Sequence, residues 1–335
     1  MDLSIRELND PQEIIKYLQI GISIPIWPEF NRYILDDFHY YHVRSFLLKI
    51  DGNLIGNVLV FESNNILYFG YFRIINHNER FIEYLVDLLI DYAKEKKLRK
   101  IIGPINIPVI IYGWGFMKEG SSESLFSTKP ANPPIYQKIF IKKGFNIRFE
   151  EVSWEGFFLP IDVNKIKQFD FSEYEFFYPK NLEECLDLKD IFLKLNSENF
   201  PDYAKITPKI SARFSNYVQY VYEFGHKFMI FFVRHKPTDE IVGCSSCLPN
   251  PFRKNNKGNY DSLIAYTMSV SKKHRNKGVA LLLYGPPSIQ AWKKKFRYIS
   301  SPTEEKNKRF GNFAKSINLE KKRVHYTLEI NLLNP

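Results

Sequence analysis

The sequence is poor in cysteine, with only Cys185, Cys244 and Cys247 among its 335 residues. So sparse and odd a set cannot build a disulfide framework, which argues against a stapled secreted fold and for a reducing compartment. It also lacks any run approaching the roughly 20 consecutive apolar residues that a membrane-spanning helix requires. Met1 to Asp10 carries Asp2, Arg6, Glu7 and Asp10 where a secretion signal would need an apolar core. These absences point to the cytosol and to no membrane partner. Low-complexity tracts are missing as well, while 44% apolar residues with 29 Phe and 21 Tyr supply ample material for buried cores. A chain of 335 residues exceeds the usual domain of roughly 100 to 200, so two domains are expected.

Acidic residues are scarce in one place. Counting Lys plus Arg against Asp plus Glu, residues 1–160 give 18 against 19 and residues 161–335 give 29 against 18. Within Ser271 to Arg323 the count is 15 against 3, an excess of 12 that exceeds the net +10 of the whole chain. This segment is therefore where an anion would bind, the other reading being a solvated basic face.

The hydrophobic pattern repeats. Phe46 to Ile50 and Leu54 to Phe61 flank the turn Asp51-Gly52-Asn53 and read as a hairpin, followed by a strand over Ile66 to Ile75. Phe81, Ile82, Leu85, Leu88, Leu89 and Tyr92 then recur at helical spacing within Asn78 to Lys97, before a strand at Arg99 to Gly103. After the Pro130–Pro134 break come a helix over Tyr136 to Lys143, a stop at Gly144 and a strand over Phe145 to Phe158. The second half has the same order: a hairpin of Phe228 to Arg234 and Ile241 to Leu248, a strand at Leu263 to Val270, a helix from Lys277, a strand at Arg297 to Ser301, a helix over Asn307 to Ile317 and a closing strand over Arg323 to Leu332. Leu182 to Phe224 supplies covering helices, with Pro201 and Pro208 between them. Two copies of one α/β unit are expected, joined by a connector.

The stretch Val270 to Ala280 leaves a strand and enters a helix. Small residues there let the backbone approach a diphosphate, and the amides and dipole of the helix N-terminus attract it. Arg275, Gly278 and Ala280 resemble, in order, the acyl-CoA signature of the GNAT acyltransferases: Arg or Gln, two residues, Gly, one residue, then Gly or Ala. Ile102-Gly103-Pro104-Ile105-Asn106, Gly113-Trp114-Gly115-Phe116, Asn132-Pro133-Pro134-Ile135-Tyr136 and Lys143-Gly144-Phe145 are similar to landmarks of a family with two fused GNAT domains. So are Ile241-Val242-Gly243, Leu248-Pro249-Asn250 and Glu304-Glu305-Lys306-Asn307.

The resemblance implies an α/β fold class in which each domain has a mixed, mostly antiparallel sheet flanked by helices. Residues 1–158 would be a degenerate domain, 159–175 a connector and 176–335 a domain with the acyl-CoA loop. It also implies an N-acyltransferase using acetyl-CoA or another acyl-CoA, with a small-molecule or peptide amine as acceptor and no metal. Met268, Val270, Arg275, Asn276, Lys277, Gly278, Val279, Ala280 and Asn307 would hold the donor.

Departures from the family pattern are equally specific. The first half reads Ile75-Asn76-His77-Asn78-Glu79-Arg80 where its loop would lie, without glycine and with an acidic side chain. Ala314 stands where many members place a tyrosine acid, and Pro286 and Pro287 are expected to break the helix after the loop. Acyl transfer needs a base, an oxyanion donor and an acid. The donor is expected from the strand near Met268 to Val270. Glu305 is the candidate base by its match to the family's glutamate, against an exposed helix-start carboxylate. Tyr266, four residues before Val270, is the second catalytic candidate, against a core tyrosine. His274 would assist phosphate or sit in solvent. Cys244 and Cys247, at i and i+3 of a strand, face opposite sides and make no metal site. Two further functions remain open: acyl-CoA binding without turnover, and RNA or aminoacyl-tRNA binding through Lys293-Lys294-Lys295 and Lys321-Lys322-Arg323.

Overall fold

The computed structural model describes residues 2–18, 26–120, 125–160, 164, 168–199 and 210–332. The chain forms two compact units, residues 1–152 with 322–335, and residues 153–321. Strands are numbered in chain order. The first unit contains β1 (Leu3–Leu8), β2 (Arg44–Ile50), β3 (Asn53–Ser63), β4 (Ile66–Ile74), β5 (Lys100–Gly103) and β6 (Phe116–Gly120), while β7 (Asn146–Phe157) carries the chain onward. The second contains β8 (Tyr174–Phe177), β9 (Ile230–His235), β10 (Glu240–Pro249), β11 (Ser262–Val270) and β12 (Tyr298–Glu304). The last strand, β13 (Glu320–Asn331), returns to the first unit.

In the first unit the order is β1-β2-β3-β4-β5-β13, with β6 also on β13. The β2–β3 hairpin turns through Asp51 and Gly52, both left-handed (φ 47° and 81°), a conformation glycine adopts without steric cost. Helix Glu79–Glu95 links β4 to the parallel β5. It forms there because Asn78 Oδ1 accepts from Arg80 N, Glu79 and Lys94 complement the dipole, and Ile82, Leu85, Val86, Leu89 and Ala93 make one buried stripe.

The second unit orders β8-β9-β10-β11-β12, antiparallel except for the parallel pair β11 and β12. Helix Val279–Lys293 seats Val279, Leu282 and Leu283 against Phe231, Val233 and Val242. Each such aliphatic side chain contributes about 1.5–3 kcal/mol on burial.

Three expectations are revised. Helix Val279–Lys293 runs unbroken through Pro286 and Pro287. The prolines remove two backbone donors, yet Leu282, Leu283, Tyr284, Pro287, Ser288 and Ala291 are buried around them, so packing rather than helix propensity holds the segment. The boundary expected at 158 also shifts: residues 322–335 group with the first unit because Leu328 to Asn331 pair with Lys100 to Gly103 on β5. Finally, β8 begins within the stretch read as connector. Pro201 and Pro208 lie outside the described residues. No helix among the described residues is long and apolar enough to cross a membrane.

Candidate functional site

The repeated plan extends to register. β4 and β5 pair over Ile66↔Lys100, Leu67↔Ile101 and Tyr68↔Ile102; β11 and β12 pair over Ser262↔Tyr298, Leu263↔Ile299 and Ile264↔Ser300. In each unit the earlier strand runs on past its parallel partner, to Ile74 or to Val270. Its edge is thereby exposed to whatever enters the splay, because backbone donors and acceptors must find some partner.

In the first unit the chain itself enters. Ile105 N donates to Phe69 O at 2.7 Å, and Tyr71 N donates to Asn106 Oδ1 at 2.6 Å. The Tyr136 hydroxyl accepts from Ile74 N at 2.9 Å and donates to Ile74 O at 3.2 Å. Gly70 is required for this fit, since a Cβ there would stand 2.1 Å from Ile105 O. The segment Ile105–Asn106 is thus a plug along β4.

The second unit differs. Among the described residues, no hydrogen bond joins Met268, Ser269 or Val270 to the chain beyond Ser300. Immediately after β11 a short turn over Lys272–His274 leads to Gly278, the N-cap of helix Val279–Lys293, which carries no capping side chain. Asn276 and Gly278 are left-handed (φ 63° and 79°). Among the described residues, the amides of Asn276, Lys277, Gly278, Val279 and Ala280 meet no acceptor in hydrogen-bonding geometry. Arg275, Asn276, Lys277 and Ala280 are exposed, as are Lys272 and Lys273. Consecutive amides at a helix start, surrounded by lysines, form a cradle suited to a diphosphate.

The sequence-derived residues divide between this cradle and other roles. Met268 and Val270 are half-buried and pack against the apolar cluster that includes Val279, Leu282 and Leu283. Asn307 caps helix Lys308–Ser316, its Oδ1 accepting from Phe310 N at 3.2 Å while its Nδ2 donates to Thr303 Oγ1 at 3.2 Å. Glu305 is exposed and ion-paired with Lys321 at 3.1 Å. Ala314 is fully buried. Tyr266 is 9% exposed, its ring centroid 6.0 Å from that of Tyr217 in a tilted arrangement. It sits at a bulge, where pairing jumps from Ser246↔Thr267 to Cys247↔Ala265. His274, read as a loop residue, is instead buried: one ring nitrogen lies 3.0 Å from the Tyr174 hydroxyl, and burial, then His235 and Lys277, lower its pKa. Burial pushes the Cys247 thiol up to about 12 and raises Cys244 as well.

The two basic clusters differ in exposure and partners. Lys293 to Lys295 are exposed at a helix C-terminus, where they complement the dipole. Lys321 pairs with Glu305, and Arg323 is 3% exposed with its guanidinium over the Phe126 ring.

Two features escaped the sequence reading. Phe169 and Phe171, in the stretch taken as connector, stack on each other and lie against Gly278, where a Cβ would come within 2.7 Å of Phe169. A buried hydroxyl row also flanks the bulge: Ser246 Oγ lies 2.9 Å from Thr267 Oγ1, and the buried Tyr217 hydroxyl adjoins Ser246, with burial raising its pKa. The signal for this row was hydroxyl residues standing where strands otherwise carry apolar side chains.

No family description and no curated protein matches the chain by sequence. Solved structures do match it. A tandem GNAT protein from the clavulanic acid biosynthesis pathway shares 10% identity over all of both chains, with a TM-score of 0.63. A GCN5-related N-acetyltransferase from Sphaerobacter thermophilus shares 10% identity over 99% of this chain and 96% of that one, at 0.57. A GCN5-related glucosamine N-acetyltransferase region of a fungal multi-domain β-N-acetylglucosaminidase shares 12%, covering 98% of this chain and 38% of the fungal one, at 0.64. Along its whole length the chain has the GNAT fold, as two fused units.

Proposed function

We propose that the protein is an acyl-CoA-dependent N-acyltransferase whose second unit holds the donor and whose first unit does not. The observation that carries this reading is the run of amides from Asn276 to Ala280 beside a strand edge to which, among the described residues, no segment beyond Ser300 hydrogen-bonds. The diphosphate of acetyl-CoA or a longer acyl-CoA takes the amides, and the pantetheine arm runs along the edge of β11. A main-chain amide between Met268 and Val270 then faces the thioester oxygen, which becomes the oxyanion. The acceptor is a small-molecule or peptide amine. Its nitrogen attacks the thioester carbon, the C–S bond breaks, and a proton passes from nitrogen to sulfur. Tyr266, at the bulge on β11, is the nearer candidate for moving that proton; Glu305 is exposed and ion-paired, which suits a base only if solvent carries the proton to it.

A second reading is favoured by the burial of Ala314 and by the capping role of Asn307: the unit binds acyl-CoA without turnover. Free thiol release from acetyl-CoA and longer acyl-CoAs over an amine panel separates the two. Turnover with any pair supports transfer, binding by calorimetry without turnover supports the second reading, and the lack of both removes each.

A further inference from the structure

Two asparagines of helix Lys189–Asn199 are held in the same way. Asn196 Nδ2 donates to Phe192 O at 2.9 Å, and Asn199 Nδ2 donates to Leu195 O at 2.7 Å, in both cases one turn back. A carboxamide fixed at its nitrogen has a fixed oxygen. Asn196 Oδ1 accepts from Ser269 Oγ at 2.9 Å, near the end of β11. Asn199 Oδ1 accepts from Arg275 Nη2 at 2.5 Å, at the start of the cradle. Arg275 Nε donates in addition to Val270 O at 3.3 Å. The guanidinium therefore bridges the last residue of β11 and the end of the helix, two of its five donors being engaged within the fold.

We infer that Arg275 is a latch for the cradle rather than a phosphate ligand, and that Asn199 is the positioning residue that sets the latch. The inference rests on acyl-CoA binding at the amides of residues 276–280. Those amides lie on an exposed loop with few internal bonds, in which Asn276 and Gly278 are left-handed. Anchoring the residue just before them removes ordering that the ligand would otherwise have to impose. Attraction for phosphate is left to Lys272, Lys273 and Lys277, which are exposed around the same turn.

The test is calorimetric titration of acetyl-CoA into the full chain, with a thermal melt of every variant. Asn199→Ala is expected to weaken binding about tenfold, or about 1.4 kcal/mol. Asn199→Asp, which keeps an acceptor for Arg275, should return affinity to within about threefold of wild type, and Asn199→Ala combined with Arg275→Ala should bind no more weakly than Arg275→Ala alone, because members of one linkage are not additive. Wild-type affinity in Asn199→Ala, whether or not its melting point falls, overturns the latch. So do losses that add in the double variant, since Arg275 would then contact the ligand independently of Asn199. No heat from the wild-type chain overturns the functional reading itself and the latch with it.

Discussion

In the first unit, the edge of β4 beyond Tyr68 is bonded by Ile105, Asn106 and Tyr136; in the second, the matching edge of β11 beyond Ile264 meets no such segment among the described residues. The contrast continues at the helix that follows. Asn78 caps the first helix with its own carboxamide, whereas Gly278 caps the second with no side chain at all. One frame thus gives a closed scaffold when its loose backbone groups are bonded by its own residues. It gives a receptive site when the same groups are left for a ligand. In the first unit a loop without glycine, Ile75 to Arg80, accompanies a splay bonded by the chain's own residues.

Substitutions in each unit test this contrast. The largest effect is expected in the closed unit, where Lys129 and Glu151 form an ion pair with both side chains essentially unexposed and the ammonium 4.2 Å from the Trp114 ring. Lys129→Met leaves a buried carboxylate without its counter-ion and should cost about 3–5 kcal/mol, read from denaturant midpoints, with acetyl-CoA affinity retained by the second unit. Ala280→Glu, in the receptive unit, should reduce acetyl-CoA affinity about 100-fold, or about 2.7 kcal/mol, by setting a carboxylate against the diphosphate. The melting point should hold or rise, because an acidic residue in the first helical turn favours the dipole. Arg80→Glu, at the second helical position of the first unit's helix as Ala280 is of the second's, should leave affinity unchanged. Equal losses in the two variants would mean that the units do not differ as described.

Tyr136→Phe should destabilise the protein by about 1–3 kcal/mol, since both Ile74 N and Ile74 O lose their partner, and calorimetry should show no new binding site. A second equivalent of acetyl-CoA bound by this variant would show that the plug alone had closed the first unit. The smallest effect is on acidification. His325 is buried in the first unit, its Nε2 3.0 Å from Pro130 O, and burial, then Lys129, hold its pKa well below 6.5. The native imidazole is therefore neutral while the unfolded one takes up a proton as pH falls through 6.5. Stability should be fully present above that pH and decline below it, with a slope approaching about 1.4 kcal/mol per pH unit. Replacing His325 with Gln should flatten the decline, as followed by denaturant midpoints between pH 7 and 5.

Much of this fold was legible in the sequence because each element carried its own signal. The hairpin at Asp51-Gly52, the stripe from Ile82 to Leu89 and the run from Leu263 to Val270 are all local patterns, and each element formed where expected. The turn and helix start after β11 were legible for the same reason, being a contiguous stretch with glycine at the N-cap. What was not legible depends on residues distant in the chain. Nothing near Asn106 says that its side chain will bond Tyr71, and nothing near His274 says that Tyr174 will bury it. The role given to Asn307 came from the family resemblance, and its use as a helix cap depends on local geometry that the resemblance does not describe. Pro286 and Pro287 misled because their penalty is intrinsic, while the packing that overrides it is tertiary.

The placement of β13 also bears on how the chain matures. Its Leu328 to Asn331 pair with β5, so the first unit lacks an interior strand until the whole of the second has been translated. The second unit is complete at residue 321 and can close first. A gene cut between the halves would accordingly yield an N-terminal fragment missing a sheet neighbour, and moving the codons for 322–332 to the front of such a fragment is the rearrangement expected to rescue it.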